Sequence, residues 1–506
     1  MTATPGELLV TDRDLLDAVL SFLDGSDALH IAATCSSFRA ALAPSEAIWE
    51  TYYRSAFGQH KFEFAVPTSW SRRFRVAAQR VKLRSVRWHH DRQLRECIHG
   101  TPPGARQGAN SCTITGFAGG DCFAVYGGWT DARGISRDLN LLRRRIADGD
   151  GVGEWEWTQV PVSRRENAPA RPTYGPSITV VPAPDGGSSA VRLVVHGGVC
   201  AGGYRGAQAS LHSILLTAEE DAPDMSCEVL PDVEAEWMAE HALDGTPRAY
   251  HTATYVPQGE AHASNAHRVW VFGGFNDHAD NGCISELTAF DLASEVWEVV
   301  RPDGAEPEER LGHSCVEIGG ALYLSGGCTD SSNMKPGEGG EELSDIWRLD
   351  LTTPHADLAW HRVSHPSSAP QGALQRCHGA ARLGSQILFF GGGRSSSLTN
   401  RVCAFDTASE TWITAPGRLS GTAPSRRQNA ACGFFPGTAL LIVFGGWRLG
   451  PMGNDVNMCD THILDLDHPT DGTSDAAEVS LPMRARLSRA VAVLFRGLRH
   501  RVLDVS

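Results

Sequence analysis

A mainly β fold, built by repeating one small sheet, is what this chain predicts, and three observations carry that expectation. Six times a short run of mostly apolar residues ends in two glycines: FAVYGG at Phe123 to Gly128, LVVHGG to Gly198, VWVFGG to Gly274, LYLSGG to Gly327, ILFFGG to Gly392 and LIVFGG to Gly446. An arginine opens a strand upstream of most of these pairs. Downstream comes an apolar strand ending in aspartate, then often a tryptophan. Recurrence at a spacing of about 50 to 80 residues marks an architecture in which each unit buries its faces against its neighbours.

The 506 residues carry a formal net charge of -14, with 42% hydrophobic and 21% charged residues. That balance argues against a surface given over to nucleic acid, and no apolar run approaches the length of a bilayer-spanning helix. MTATPGELLVTDRD lacks the basic start and apolar stretch of a secretory signal, so the expected localisation is cytoplasmic, nuclear or both. Thirteen cysteines contain no C-x-x-C pair and read as reduced, mostly buried thiols. Positive charge is almost all arginine, the only lysines being Lys61, Lys82 and Lys335. The basic stretch from Arg72 to Arg95 and the acidic one from Glu219 to Glu240 read as solvated faces.

Taken in chain order, the first elements are helical. Thr11 and Asp14 have capping-box spacing, and Leu15, Leu16, Val19, Leu20 and Leu23 recur at helical intervals, which predicts a helix over about 12–23. A second segment carries Leu29, Ala32, Ala33 and Phe38. A third, capped by Ser45, carries Ile48, Trp49, Tyr52, Tyr53 and Phe57 and ends at Gly58. Three short helices bury little surface by themselves, so part of their apolar surface wants a partner.

Those residues, from Leu15 through Trp49, resemble an F-box, the motif by which substrate receptors attach to the Skp-family adaptor of cullin-based ubiquitin ligases. The usual Leu-Pro before the first helix is replaced by Leu9-Val10-Thr11-Asp12. The resemblance implies an F-box three-helix domain over 8–58. Leu15, Val19, Phe22, Leu23, Leu29, Ala32, Cys35 and Phe38 would supply its adaptor-facing surface and internal packing. Residues 59–84 then read as a linker helix, with Trp70, Phe74 and Val81 along one side; such a stiff connection would hold a captured target at a fixed distance.

In the remaining 85–506, the strand-opening arginine is often followed three residues later by a polar ring: Arg248 with His251 and Arg310 with His313. Arg106, Arg171 and Arg426 keep the arginine, with Ala109, Tyr174 and Asn429, while Gln375 precedes His378. The aspartate-tryptophan element is plainest in AFDLASEVW to Trp297 and AFDTASETW to Trp412; repeat one offers Trp155 and Trp157, and repeats two and six lack it. The pattern resembles the kelch repeat. That resemblance implies a kelch-type β-propeller with six recognisable blades, in which Gly127 and Gly128, Gly197 and Gly198, Gly273 and Gly274, Gly326 and Gly327, Gly391 and Gly392, and Gly445 and Gly446 are structural.

A ring is weakest where its ends meet, and closure there needs a strand from afar. Either Trp88 in SVRWHHDRQLRE supplies an outer strand to the sixth blade, or a composite seventh blade joins both ends. The echo of HRVWVF in HRVLDV, at His500 to Val505, favours the seventh.

Loops after the glycine pairs and loops entering the Arg-x-x-His strands share one face, around the channel. Arg133, Arg205, Arg394, Arg401 and Arg448 lie in them and could together hold an acidic or phosphorylated peptide. The repeated histidines read as packing groups between blades. His89-His90-Asp91 has no second cluster to complete a metal site, and there is no G-x-S-x-G, P-loop or H-E-x-x-H motif. No catalytic residue, metal or cofactor is therefore assigned.

The two resemblances together imply a non-catalytic substrate-recognition subunit of an SCF-type ubiquitin ligase. Its partners would be the adaptor, through it a cullin, and a protein target, with no nucleic acid and no membrane. A kelch scaffold uncoupled from ubiquitination remains the alternative.

Overall fold

Six open sheets are strung along the chain in order, each antiparallel through its four main strands. The first runs from Asn110–Phe117 through Gly120–Tyr126 and Leu139–Arg145 to Glu154–Val160, and the second from Ser177–Pro182 to Val233–His241. The third spans Thr252–Val256 to Val296–Val300, the fourth Ser314–Ile318 to Trp360–Ser364, and the fifth Gly379–Leu383 to Thr411–Thr414. The sixth takes Ala431–Phe435, Leu440–Phe444 and Thr461–Asp465, and its outer strand is Arg87–Trp88, from the other end of the chain.

This computed structural model describes residues 49–50 and 86–466, apart from 90, 118–119, 133, 146–153, 164–172, 184–189, 201–206, 219–232, 242–245, 260, 277–281, 330–339, 366, 395, 415–418 and 436–439. The sheets make up one compact unit, Val86–Leu466. Of the other unit only Trp49 and Glu50 are described; both are helical and Trp49 is buried. The F-box helices with Leu15 through Phe38, the linker helix and the C-terminal HRVLDV segment lie outside the described residues.

No sheet curls into a barrel. Instead the inner strands follow one another in a circle: each touches the inner strand of the next sheet, and Ala431–Phe435 packs directly on Asn110–Phe117. Among the described residues no strand stands between the sixth sheet and the first, a direct contact that corrects the expected composite seventh blade. The closing strand is short, Arg87 pairing with Asp465 and Trp88 with Leu464. Trp88 is 1% exposed and meets Phe390 of the fifth sheet edge-on at 5.6 Å. From the other side, Trp157 of the first sheet lies 5.0 Å from Phe444 of the sixth. Large aromatics thus seal the seam by area and by ring geometry together.

The strand expected to continue past Trp88 does not. Asp91–Cys97 is a helix, its Leu94 buried with Phe123, Trp155 and Phe435, and Ile98–Gly100 then runs parallel to the first sheet's outer strand. DRQLREC is rich in good helix formers and has no β-branched residue, so local propensity favours the helix once two residues have closed the ring.

Within each sheet the aspartate-tryptophan element builds the outer hairpin. Asp291 Oδ1 accepts hydrogen bonds from the backbone N–H groups of Ala293 and Ser294 at 3.0 and 2.9 Å, and Asp406 Oδ1 accepts one from Ala408 at 3.2 Å. An aspartate at the strand end can make this turn with its own side chain, which is why the residue recurs there. Among the described residues no disulfide joins the cysteines, and no helix is long and apolar enough to cross a membrane.

Candidate functional site

The entries of the six inner strands surround a channel of about 230 Å³. Its wall is made of backbone and small side chains, with His251, His313 and His378 at equivalent places on three successive sheets. Each of these imidazoles reaches back to the preceding sheet. His251 Nε2 lies 2.8 Å from Ser177 Oγ, His313 Nε2 3.1 Å from Thr252 Oγ1 and His378 Nε2 2.9 Å from Ser314 Oγ. His378 Nδ1–H donates to the Gln375 carbonyl, so Nε2 accepts from Ser314. The histidines are hydrogen-bonded packing groups between sheets.

Burial keeps all of them uncharged. Desolvation holds His196, His251 and His313 well below the usual histidine range, with Arg248 or Arg310 adding repulsion, and it lowers His378 to about 4. Cys315 and Cys432 on the same wall are pushed up to about 12 by burial. A wall of neutral imidazoles and protonated thiols offers contacts and hydrogen bonds rather than an activated nucleophile. Among the described residues no group of three or more His, Cys, Asp or Glu is placed to hold a metal.

The repeated arginines hold the mouth of this channel in shape. Nη1 of Arg106, Arg248, Arg310 and Arg427 donates to the carbonyl of the first glycine of its own pair, Gly127, Gly273, Gly326 and Gly445, at 2.9 to 3.2 Å. Each guanidinium also faces a carboxylate, most closely Arg248 with Glu286 at 2.5 Å and most deeply Arg310 with Asp345 at 2.8 Å. The N–H of the second glycine then donates to a carbonyl on the following sheet: Gly128 to Thr173, Gly198 to Arg248, Gly274 to Arg310 and Gly392 to Arg427.

This register corrects two sequence assignments. Arg427, fully buried, holds the place given to Arg426, and Thr173 holds the place given to Arg171. The glycines are wanted for close approach. At Gly197, with φ 62°, an added Cβ would stand 2.4 Å from the Arg248 carbonyl oxygen.

Above the channel, the residue after each glycine pair bridges to the strand entry of its own sheet. Val199 pairs with Tyr174, Phe275 with Ala249, Cys328 with Leu311 and Trp447 with Gln428. Short bridges therefore form a collar at the channel mouth.

Of the five loop arginines singled out in the sequence, Arg133 and Arg205 lie outside the described residues. Arg394 sits at the seam between sheets four and five, its Nε 3.4 Å from Glu342 Oε1 and its Nη2 donating to the Gly340 carbonyl. Arg401 is exposed and donates to the Gln371 carbonyl at 2.6 Å, and Arg448 reaches the Leu449 carbonyl at 3.5 Å. The three have different hydrogen-bond partners. Sequence reading missed the carboxylate that Arg394 faces, Glu342, and the second arginine on it: Arg376, whose Nε and backbone N–H both donate to Glu342 at 2.6 Å.

A model of the KLHDC2/KLHL20/DRC7 Kelch-repeats domain matches residues 231–412 and, overlapping, 336–493, together just over half of the chain. Kelch domain-containing protein 3 from Bos taurus is 28% identical over 189 residues, 36% of this chain and 44% of its own length. Multiple epidermal growth factor-like domains protein 8 from Homo sapiens is 27% identical over 188 residues, 36% of this chain and 6% of its own. The dynein alpha chain of the flagellar outer arm of Chlamydomonas reinhardtii is 25% identical over 262 residues, 50% of this chain and 5% of its own. The matches span less than half the length of each of these relatives.

Proposed function

The chain belongs to the KLHDC2/KLHL20/DRC7 Kelch-repeat family, and from that premise we propose that its six sheets form a β-propeller acting as a non-catalytic recognition module. The collar of loops around the channel mouth carries this reading. It presents backbone and side-chain donors, arginines among them, on a rigid ring, while the channel wall holds only neutral groups. Rigid scaffolds with variable loops are a common solution to protein recognition. The target class we assign is an acidic or phosphorylated peptide segment of a partner protein.

The finer role is that of substrate-recognition subunit of an SCF-type ubiquitin ligase in the cytoplasm or nucleus. What supports it is the F-box pattern of Leu15, Val19, Phe22, Leu23, Leu29, Ala32, Cys35 and Phe38, ahead of a repeat domain. The Skp-family adaptor, and through it a cullin, would be the partners. Coprecipitation of the purified chain with the adaptor tests the role: binding is expected, and Leu23→Arg or Leu29→Arg should abolish it. Failure of the native chain to bind, or indifference to both substitutions, removes the ligase reading and leaves the propeller module standing. The second reading is a scaffold uncoupled from ubiquitination, which needs only the Kelch repeats that the family match covers, within 231–493.

A further inference from the structure

The collar gives five of the six seams an equivalent pair of residues. One is the second bridge partner of the residue following the glycine pair: Ile135, Ala207, Cys283, Glu342 and Asn457 answer to Trp129, Val199, Phe275, Cys328 and Trp447. The other is the residue at which the next sheet's collar begins, whose carbonyl accepts from that sheet's own loop: Tyr174 from Val199, Ala249 from Phe275, Leu311 from Cys328, Arg376 from Gly393 and Gln428 from Trp447. At these seams the pairs are Ile135 with Tyr174, Ala207 with Ala249, Cys283 with Leu311, and Asn457 with Gln107, all uncharged. Between sheets four and five the pair is Glu342 with Arg376. Here the repeat's neutral pattern is broken.

Two guanidinium groups converge on one carboxylate at this seam. Arg376 takes both oxygens of Glu342, one through Nε and one through its backbone N–H, each at 2.6 Å. Arg394 comes to the same oxygen at 3.4 Å and is 32% exposed, against 12% for Arg376. Two guanidinium groups thus share one carboxylate. Arg376 directly precedes Cys377 and His378, which line the channel. The trio therefore sits at the channel mouth, on the face assigned to peptide binding.

We infer that Glu342 is an internal competitor: it occupies, from within the chain, the place that an acidic group of a bound peptide takes between Arg376 and Arg394. This rests on the reading of the face as an acidic-peptide site and adds its regulation. Exchanging one carboxylate for another leaves the arginines satisfied, so the swap costs little in hydrogen bonding. A tethered carboxylate nevertheless competes at a high effective concentration, so it weakens every single-carboxylate ligand and lets through those with several acidic groups.

The test is fluorescence anisotropy of labelled hexaglutamate with the full chain at low salt. Native protein should bind weakly and Glu342→Gln about tenfold more tightly, because the amide keeps an acceptor for the Arg376 N–H while giving up the charge. Adding Arg394→Ala to Glu342→Gln should remove that gain. Equal binding by the native chain and Glu342→Gln overturns the competitor while leaving the acidic-peptide face intact. No binding by either overturns both. If melting shows Glu342→Gln to be misfolded, Glu342→Asp replaces it, keeping the charge but shortening its reach toward Arg394. A gain of a few fold is then expected, and no gain overturns the inference.

Discussion

The backbone N–H of Gly446 donates to the carbonyl oxygen of Arg106 across 3.0 Å, so the last glycine pair is fastened to the first sheet by the same bond that fastens Gly198 to Arg248. The ring's ends therefore meet through the contact that joins its middle. What distinguishes the seam is only that the sixth sheet lacks an outer strand of its own and takes Arg87–Trp88 from the other end of the chain.

Closure of this kind makes Trp88 the most consequential of the outer-strand tryptophans. Trp88→Ala removes a side chain 1% exposed, together with its ring contacts to Phe390 and His462. A loss of about 3–5 kcal/mol is expected in urea unfolding. Trp412→Ala, on a half-buried ring in the middle of the ring of sheets, should cost less. If the two losses are equal, Trp88 has no special part in closing the ring.

How much of this was legible depended on whether a residue's partner is local. The glycine pairs and the aspartate turns announce themselves because Gly197 must lack a Cβ and Asp291 bonds groups two and three residues away. Arg427 was mistaken for Arg426 because two adjacent arginines differ only in which one the strand turns inward, toward Asp460 at 2.6 Å. Trp88 could be seen as a closing strand but not chosen over a seventh blade, since a two-residue pairing with Leu464 leaves almost no pattern. Glu342 and Arg376 were invisible for a different reason. The two residues are 34 apart in the chain, their meeting depends on the register between two neighbouring sheets, and nothing near either residue signals it.

Removing one half of the Arg310 and Asp345 pair should hurt far more than removing both. The side chains are 0% and 3% exposed, and Trp347 Nε1–H also donates to Asp345 at 2.7 Å. Arg310→Met leaves a buried carboxylate short of its cation, for which about 3–5 kcal/mol is expected by chemical denaturation. The double change Arg310→Met with Asp345→Asn should recover more than half of that loss. No recovery would show that the arginine acts through its bonds to Gly326 and Glu308 alone.

Stability should rise with pH between about 4 and 6.5, and His378 should account for part of the slope. Its pKa is lowered by burial to about 4 in the folded chain, against about 6.5 unfolded. The unfolded chain therefore binds the extra proton across this window. Folding is favoured fully above the unfolded value, and that contribution is lost as pH falls toward the folded one. At about 1.4 kcal/mol per pH unit, one such histidine contributes about 3.5 kcal/mol at most over the window. His378→Gln keeps a polar side chain and has no proton to gain, so its stability measured at pH 4.5, 5.5 and 6.5 should fall less steeply on acidification than that of the native chain. An unchanged slope would assign the pH dependence to His196, His251 and His313 alone.

Two alanine substitutions separate backbone strain from crowding. Gly304 has φ 86° and an added Cβ there would meet nothing within 4 Å, so Gly304→Ala isolates the penalty of a left-handed backbone, about 1–2 kcal/mol. Gly197, at φ 62°, pays the same penalty and also drives its Cβ to 2.4 Å from the Arg248 carbonyl oxygen and 2.8 Å from His251 Cε1. That carbonyl accepts the Gly198 N–H at 2.8 Å, and the Arg248 side chain is tied to Gly273 and Glu286. It has no free direction in which to retreat, so the contact between the second and third sheets must open. Gly197→Ala should therefore cost at least about 2 kcal/mol more than Gly304→Ala in urea unfolding. A difference under about 0.5 kcal/mol would mean that the sheets slide apart easily, and that the glycine pair is retained for its backbone angle rather than for close approach.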